Sequence, residues 1–255
     1  MRRLWTVIIA VAVTDIKPGS IALMPASRKV STNQEHVHPR LVEVVLRHLQ
    51  THFRKPVAEH NLLAFRQLRE QLSEQPRPLV LDSFCGTGHS TATLAARHPD
   101  HLVVGIDKSG ARLARHPGTT QDNYLLLQAD CEPIWGLLRS AGIAVEYHYL
   151  LYPNPWPRST HLKRRIHGHP GFSDLLQLGG KLELRSNWQT YVEEFGMAVH
   201  LAGYRGYTAR LPDPGDAGDD LTLFERKYRL SGHALWLFRA RLKNTAAINP
   251  APGPP

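Results

Sequence analysis

The stretch Leu79–Pro99, LVLDSFCGTGHSTATLAARHP, decides how the rest of the chain is read. A short apolar run ends in Asp82, a loop carries Gly86 and Gly88, and an alanine-rich segment from about His89 to Arg97 follows with helical composition. Strand, glycine-bearing turn and helix in that order open a βαβ unit. Glycine at such a turn lets a ligand approach the backbone, and the helix start behind it presents N–H groups to an anion.

Outward from that unit the rhythm repeats. HLVVGIDKS is a second buried strand ending in Asp107, NYLLLQADCE a third ending in Asp130, and VEYHYLLY a fourth. Strands alternating with helical segments predict an α/β chain with a mostly parallel, doubly wound, Rossmann-like sheet. The last portion changes pattern: GKLELRSN, a helix around Trp188 to Leu201, then YTARL and HALWLFRARL as closing strands, with an antiparallel closing strand expected. Upstream, Leu41, Val44, Val45 and Leu49, then Leu62, Phe65, Leu68 and Leu72, recur at helical spacing with Pro56 between them, which predicts two N-terminal helices. The expected organisation is an N-terminal extension over 1–26, one domain over 39–243 and a disordered tail over 244–255.

The 255 residues suit one sizeable domain. A net charge of +9 favours a polyanionic partner, with nucleic acid ahead of an anionic membrane. Cys85 and Cys131 are too few for a disulfide framework and lack zinc-finger spacing, and the fifteen histidines form no metal-binding pattern, so no metal is expected. The opening MRRLWTVIIAVAVTD has the grammar of a signal peptide but is too short to span a bilayer, and it lacks a clear cleavage site. Met24 offers a second initiator. The expectation is a cytoplasmic protein, monomer or homodimer, without stable membrane association.

Open α/β sheets bind ligands at the carboxyl ends of their strands, here Asp82, Asp107, Asp130 and Asn154. The Gly86/Gly88 loop by itself fits a dinucleotide or S-adenosylmethionine. Asp107, nineteen positions after Gly88, suits the hydroxyls of an adenosine ribose, and Asp130 suits an adenine amino group. The plainer reading makes all three aspartates strand caps. After the fourth strand comes LLYPNPWPRSTHLKRRIHGHP, Leu150–Pro170, where Pro153 to Pro157 form a stiff extended arm ahead of Arg158, Lys163, Arg164 and Arg165. Trp156 reads equally as a core residue or a base-stacking one. The cations read as a solvated helix face or, beside a catalytic loop, as a phosphate track.

These residues resemble the class I S-adenosylmethionine-dependent methyltransferases and, within them, the tRNA guanine-N7 methyltransferase family. YPNPWPRSTHLKRRI, LELRSNWQTYVEEF and LTLFERKYRLSGHALWLF carry the likeness, in the family's order, between about Leu79 and Arg241. The resemblance implies methyl transfer to guanine N7 in the tRNA variable loop. It places Asn154, Arg158, Asn187, Thr222 and Glu225 at the reaction centre, and Asp82, Gly86, Gly88, Asp107 and Asp130 on the cofactor. It places Trp156, Lys163, Arg164 and Arg165, the latter three on a basic helix, against tRNA. Thr222 and Glu225 also read as the polar face of a hairpin.

Two positions depart from the family, which has aspartate where this chain has Asn154 and Asn187. A carboxylate accepts from both N1–H and N2–H of guanine, whereas asparagine has one acceptor oxygen and an NH₂ that faces another donor. Losing one charged hydrogen bond costs about 1.5–3 kcal/mol, which slows an enzyme without abolishing it. A non-catalytic homologue that binds cofactor or tRNA is the rival reading. An amino-methyltransferase using Asn-Pro-Trp as its Asn-Pro-aromatic loop is another. Arg185, charged where the family has a small or apolar residue, has no partner assignable from sequence.

Overall fold

The computed structural model describes residues 27–51, 56–212 and 220–243; the expected extension, Met24 and the expected tail lie outside the described residues. Helices α1 (Leu41–Leu49) and α2 (Glu59–Glu74) precede β1 (Leu79–Ser83), α3 (His89–Arg97), β2 (Leu102–Asp107), α4 (Gly110–Leu113), β3 (Tyr124–Gln128), α5 (Cys131–Ser140) and β4 (Val145–Leu151). Two 3-10 turns, Ser159–Arg164 and Ile166–Gly168, lead to α6 (Phe172–Gln177), β5 (Gly180–Ser186), α7 (Gln189–Leu201), β6 (Gly206–Arg210), α8 (Leu223–Leu230) and β7 (Trp236–Leu242).

The strands form one sheet in the order β3-β2-β1-β4-β5-β7-β6. Neighbours from β3 to β5 are parallel, and β7 runs antiparallel to both β5 and β6. The mostly parallel sheet with its antiparallel closing strand is the class the alternating pattern predicts. Every residue of β1 and β2 is buried, as strands covered on both faces must be. Gly88 enters α3 at φ 77, and Gly105 inside β2 has no room for a side chain, since a Cβ there would lie 2.2 Å from Thr91 Oγ1. The close helix-to-strand approach behind the loop is therefore provided from the strand.

The main core lies on one face of the sheet, where α1, α5, α6 and α7 bury Leu41, Val45, Trp135, Phe172, Tyr191 and Phe195. A smaller cluster on the other face joins Val80, Leu94, Ala95, Val103, Leu151 and Leu221.

Two local expectations are corrected. The LTLFERK segment is helical: Thr222 Oγ1 accepts from the Glu225 N–H at 2.9 Å, the first half of a capping box, and this N-cap outweighs the strand-like alternation. The basic segment after the arm forms 3-10 turns instead of an α-helix. At Gly168 the chain lies so close to Leu162 O that a Cβ would come within 2.0 Å of it.

Candidate active site

The glycine loop is built around three buried or strained positions. Asp82, fully buried at the end of β1, accepts from Ser90 Oγ at 2.7 Å and Thr91 Oγ1 at 2.8 Å, both through Oδ2. Its Oδ1 is buried without a partner. Burial pushes its carboxyl up to about 6, against the pull of the two hydroxyls. Phe84 and Gly86 take left-handed φ values of 64° and 63°, and nothing lies within 4 Å of where a Gly86 side chain would stand. The Gly86 N–H donates to Asp107 Oδ2 at 3.0 Å.

Asp107, 2% exposed, has its other oxygen on Ser109 N–H at 2.8 Å and Arg112 Nη2 at 3.0 Å. Asp130 stands ahead of α5, with Oδ2 at 3.1 Å from His60 Nε2 and its backbone N–H on Asn61 Oδ1 at 2.8 Å. It also lines a cleft of about 440 Å³ along α5, where Val57 and Leu137 share the wall with Glu132, Arg139, His169 and Asp174 and no residue of the glycine loop takes part. Hydrogen-bond acceptors thus stand at the ends of three adjacent strands beside an open glycine turn. Sequence gave no sign that His60 and Asn61 would reach Asp130, because their helix lies about seventy residues upstream.

The arm leaves β4 with its backbone tied to β5, Tyr152 N–H donating to Arg185 O at 2.9 Å. Tyr152 and Trp156 adopt left-handed φ values of 52° and 47°, a strained conformation for non-glycine residues. The exposed Asn154 accepts from Trp156 N–H at 3.2 Å through its side chain. Arg164 lies over the Trp156 ring, 4.9 Å from its centroid, and His161 meets the ring edge-on. Arg158, Lys163 and Arg164 are exposed.

Arg165 is different: it is 0% exposed and pairs with Glu194, itself buried, while its guanidinium lies over Trp188. It also donates to Gln34 Oε1 and to the carbonyls of Trp156 and Arg158. This corrects the phosphate expectation for Arg165, because a side chain with no exposed surface holds the arm from beneath and meets no phosphate. Glu194 further accepts from the His38 N–H, Gln34 Nε2 and His167. Burial alone would raise its carboxyl; His167 and Arg165 outweigh that and hold it at about 2. Its signal was present in the sequence as a glutamate on the apolar stripe formed by Tyr191, Phe195 and Ala198.

Glu225 is fully buried. Arg185 Nη1 reaches its two oxygens at 2.8 and 3.0 Å, and Arg185 Nε bonds Glu183 at 2.6 Å, which identifies the partners of that arginine. Glu225 therefore anchors α8 to β5, with Thr222 as the helix cap. Asn187, half-buried, contacts His233 Nδ1 at 3.2 Å, and His233 Nε2 lies 2.9 Å from Ser27 O. The segment from Ser27 to His38 straps the arm to the end of α8, with Thr32 Oγ1 on Pro157 O at 2.6 Å, Asn33 Oδ1 on Ser159 N–H at 3.0 Å and the Ser27 N–H on Ser231 Oγ at 2.8 Å. Composition alone did not mark this segment.

Burial raises the thiols of Cys85 and Cys131 well above their usual range, so neither is a thiolate at neutral pH. Among the described residues no group of three or more His, Cys, Asp or Glu is arranged to hold a metal, and no helix is long and apolar enough to cross a membrane.

This constellation on this topology is that of a class I S-adenosylmethionine-dependent methyltransferase. Solved structures share the fold at a TM-score of 0.50: an antibiotic-related methyltransferase, 16% identical, over 69% of this chain and 92% of the other, and the 16S rRNA methyltransferase KamB, 20% identical, over 74% and 96%. Residues 76–237 match a family model described as "Putative methyltransferase". Proteins named tRNA (guanine-N(7)-)-methyltransferase from Ectopseudomonas mendocina and Pseudomonas entomophila are 29% and 30% identical, over 66% of this chain and 74% and 73% of their own lengths. The chain belongs to this methyltransferase family, as a divergent member.

The methyl donor of the family fits the residues present. The open space at Gly86 admits close approach to the backbone, with the carboxylates of Asp107 and Asp130 ending the neighbouring strands, while the enclosed Asp82 holds the loop from behind. Arg112, whose side chain is 41% exposed, has solvent to move into, which would free an oxygen of Asp107 for another donor.

Proposed function

We propose that this protein transfers a methyl group from S-adenosylmethionine to N7 of a guanine in the variable loop of tRNA, at a reduced rate, in the cytoplasm where both reactants reside. The observation that carries the reading is the arm. Its left-handed residues Tyr152 and Trp156 fix Asn154 and an aromatic ring at the end of β4, the strand next to β1 and its glycine loop. Neighbouring strands lie about 4.8 Å apart, so an acceptor base on the arm and a donor on the loop are within reach of each other.

When bound, the cofactor supplies an electrophilic sulfonium methyl group. Guanine N7 presents an in-plane lone pair and carries no proton, so the chain needs no general base and works by alignment. Trp156 offers a π face to the base. The exposed Arg158, Lys163 and Arg164 suit the phosphates on either side. Asn154 and Asn187 orient the guanine edge through an amide oxygen, with weaker selection than a carboxylate gives. Gly86, Asp107 and Asp130 hold the adenosine side, with Asp82 setting the loop from behind. Thr222 and Glu225 act at one remove by fixing α8.

The test is incubation with labelled S-adenosylmethionine and unmodified tRNA, followed by chain cleavage at N7-methylguanine. Slow transfer is expected, increased roughly ten-fold or more by Asn154→Asp if one charged hydrogen bond is restored. Cofactor and tRNA binding with no methylated nucleotide at stoichiometric enzyme would overturn the proposal in favour of a non-catalytic homologue. Methylation of an exocyclic amine would overturn it in favour of the Asn-Pro-aromatic chemistry.

A further inference from the structure

Side chains alternate across β4, β5, β7 and β6, so His148, Leu150, Leu182, Leu184 and Phe238 enter the main core while their neighbours point the other way. On that other face, the middle of β4, the amino-terminal half of β5 and the adjoining parts of β6 and β7 border an open groove of about 630 Å³. Every residue lining it comes from these four strands or from Arg205, in the turn before β6. Tyr147 and Tyr149 lie nearly parallel, 4° apart, with Lys181 Nζ 4.4 Å from the Tyr147 ring centroid, and Tyr207 is 55% exposed.

The charge on this surface is one-sided. Lys181, Arg205, Arg239 and Arg241 face a single carboxylate, Glu183, whose oxygens are bonded to Arg185 and Arg239. Tyrosine faces interleaved with cations on an open sheet are what an unpaired nucleic acid strand requires, rings for stacking and cations for phosphates. Tyr147 and Tyr149 stand four and two residues back from the end of β4, about 13 and 7 Å at the usual strand rise, so the groove lies below the carboxyl edge to which the proposed methyl transfer belongs.

We propose that this half-face is a second RNA-binding surface, which takes an unpaired segment of the RNA substrate while the arm holds the target base. The inference rests on the RNA reading above, and its test separates the two. The full chain is titrated with unmodified tRNA and with a twelve-nucleotide oligouridylate over a range of salt. It is compared with Arg205→Ala/Arg241→Ala, with Tyr207→Ala and with the arm variant Arg164→Glu; S-adenosylhomocysteine affinity serves as the check that each variant is folded.

The double variant should lose roughly ten-fold in affinity for both RNAs, and its log–log salt slope should fall by about 1.4, at ~0.7 per single-strand phosphate contact. Tyr207→Ala should weaken the oligouridylate most. Unchanged RNA affinity in groove variants that bind S-adenosylhomocysteine, alongside weakened tRNA binding by Arg164→Glu, would overturn the groove alone. No RNA binding by the parent chain would overturn both readings. A dimer that Tyr207→Ala dissociates would assign the face to a second copy of this chain and overturn the proposal.

Discussion

At the scale of the residue, Asp82 shows how a carboxylate behind a ligand loop differs from one on it. Its hydroxyl partners stabilise the charged form, yet burial dominates and raises it from 3.8 to about 6. A carboxyl raised on folding contributes stability that is complete below the unfolded value and is lost as pH rises through the folded one. The shift corresponds to about 3 kcal/mol between those limits. Urea unfolding of the parent and of Asp82→Asn should therefore show the parent gaining about 2 kcal/mol relative to the variant as pH falls from 7 to 4, and the remainder below that. Parallel stability curves would refute the assignment.

At the scale of the element, the arm and α8 are each held by a buried ion pair made far along the chain. Replacing Glu194 by Gln leaves Arg165 buried and poorly paired beneath the arm, and should destabilise by roughly 3–5 kcal/mol at neutral pH. Because Glu194 is depressed from 4.5 to about 2, its contribution is present above 4.5 and disappears as pH falls toward 2, so parent and variant should converge in acid. Among the described residues, Arg185→Ala leaves the buried Glu225 with only the longer contact to Arg229 Nη2 at 3.5 Å. Its expected outcome is a loss of stability at the lower end of that range, about 3 kcal/mol, together with increased amide exchange across α8, whereas Thr222→Val, which removes only a cap, should cost about 1 kcal/mol. Equal losses in the two variants would contradict the network described here.

At the scale of the whole molecule, the strap from Ser27 to His38 is joined to residues that follow it by 125 to 206 positions. A chain beginning at Ser27 should bind S-adenosylhomocysteine and hold its arm as the parent does. One beginning at Glu35 loses the contacts of Thr32, Asn33 and Gln34, so amide exchange over 152–165 should rise, and methyl transfer should fall more than cofactor affinity. Unchanged exchange over the arm would show that the strap is not what holds it.

Sequence by itself determined the parallel sheet, the glycine loop and the strand-end acids, because runs such as LVL, LVVGI and YLLL and the turn at Gly86 and Gly88 are local patterns of burial and backbone freedom. It also marked the arm, since proline restricts its own neighbourhood whatever lies around it. Tertiary structure alone decided the fate of the charges. Arg164 and Arg165 are adjacent and chemically identical, yet one lies exposed over Trp156 and the other is fully enclosed, because Gln34 and Glu194 arrive from 131 and 29 residues away to pair with it. A buried cation is stable only where its partners converge in space.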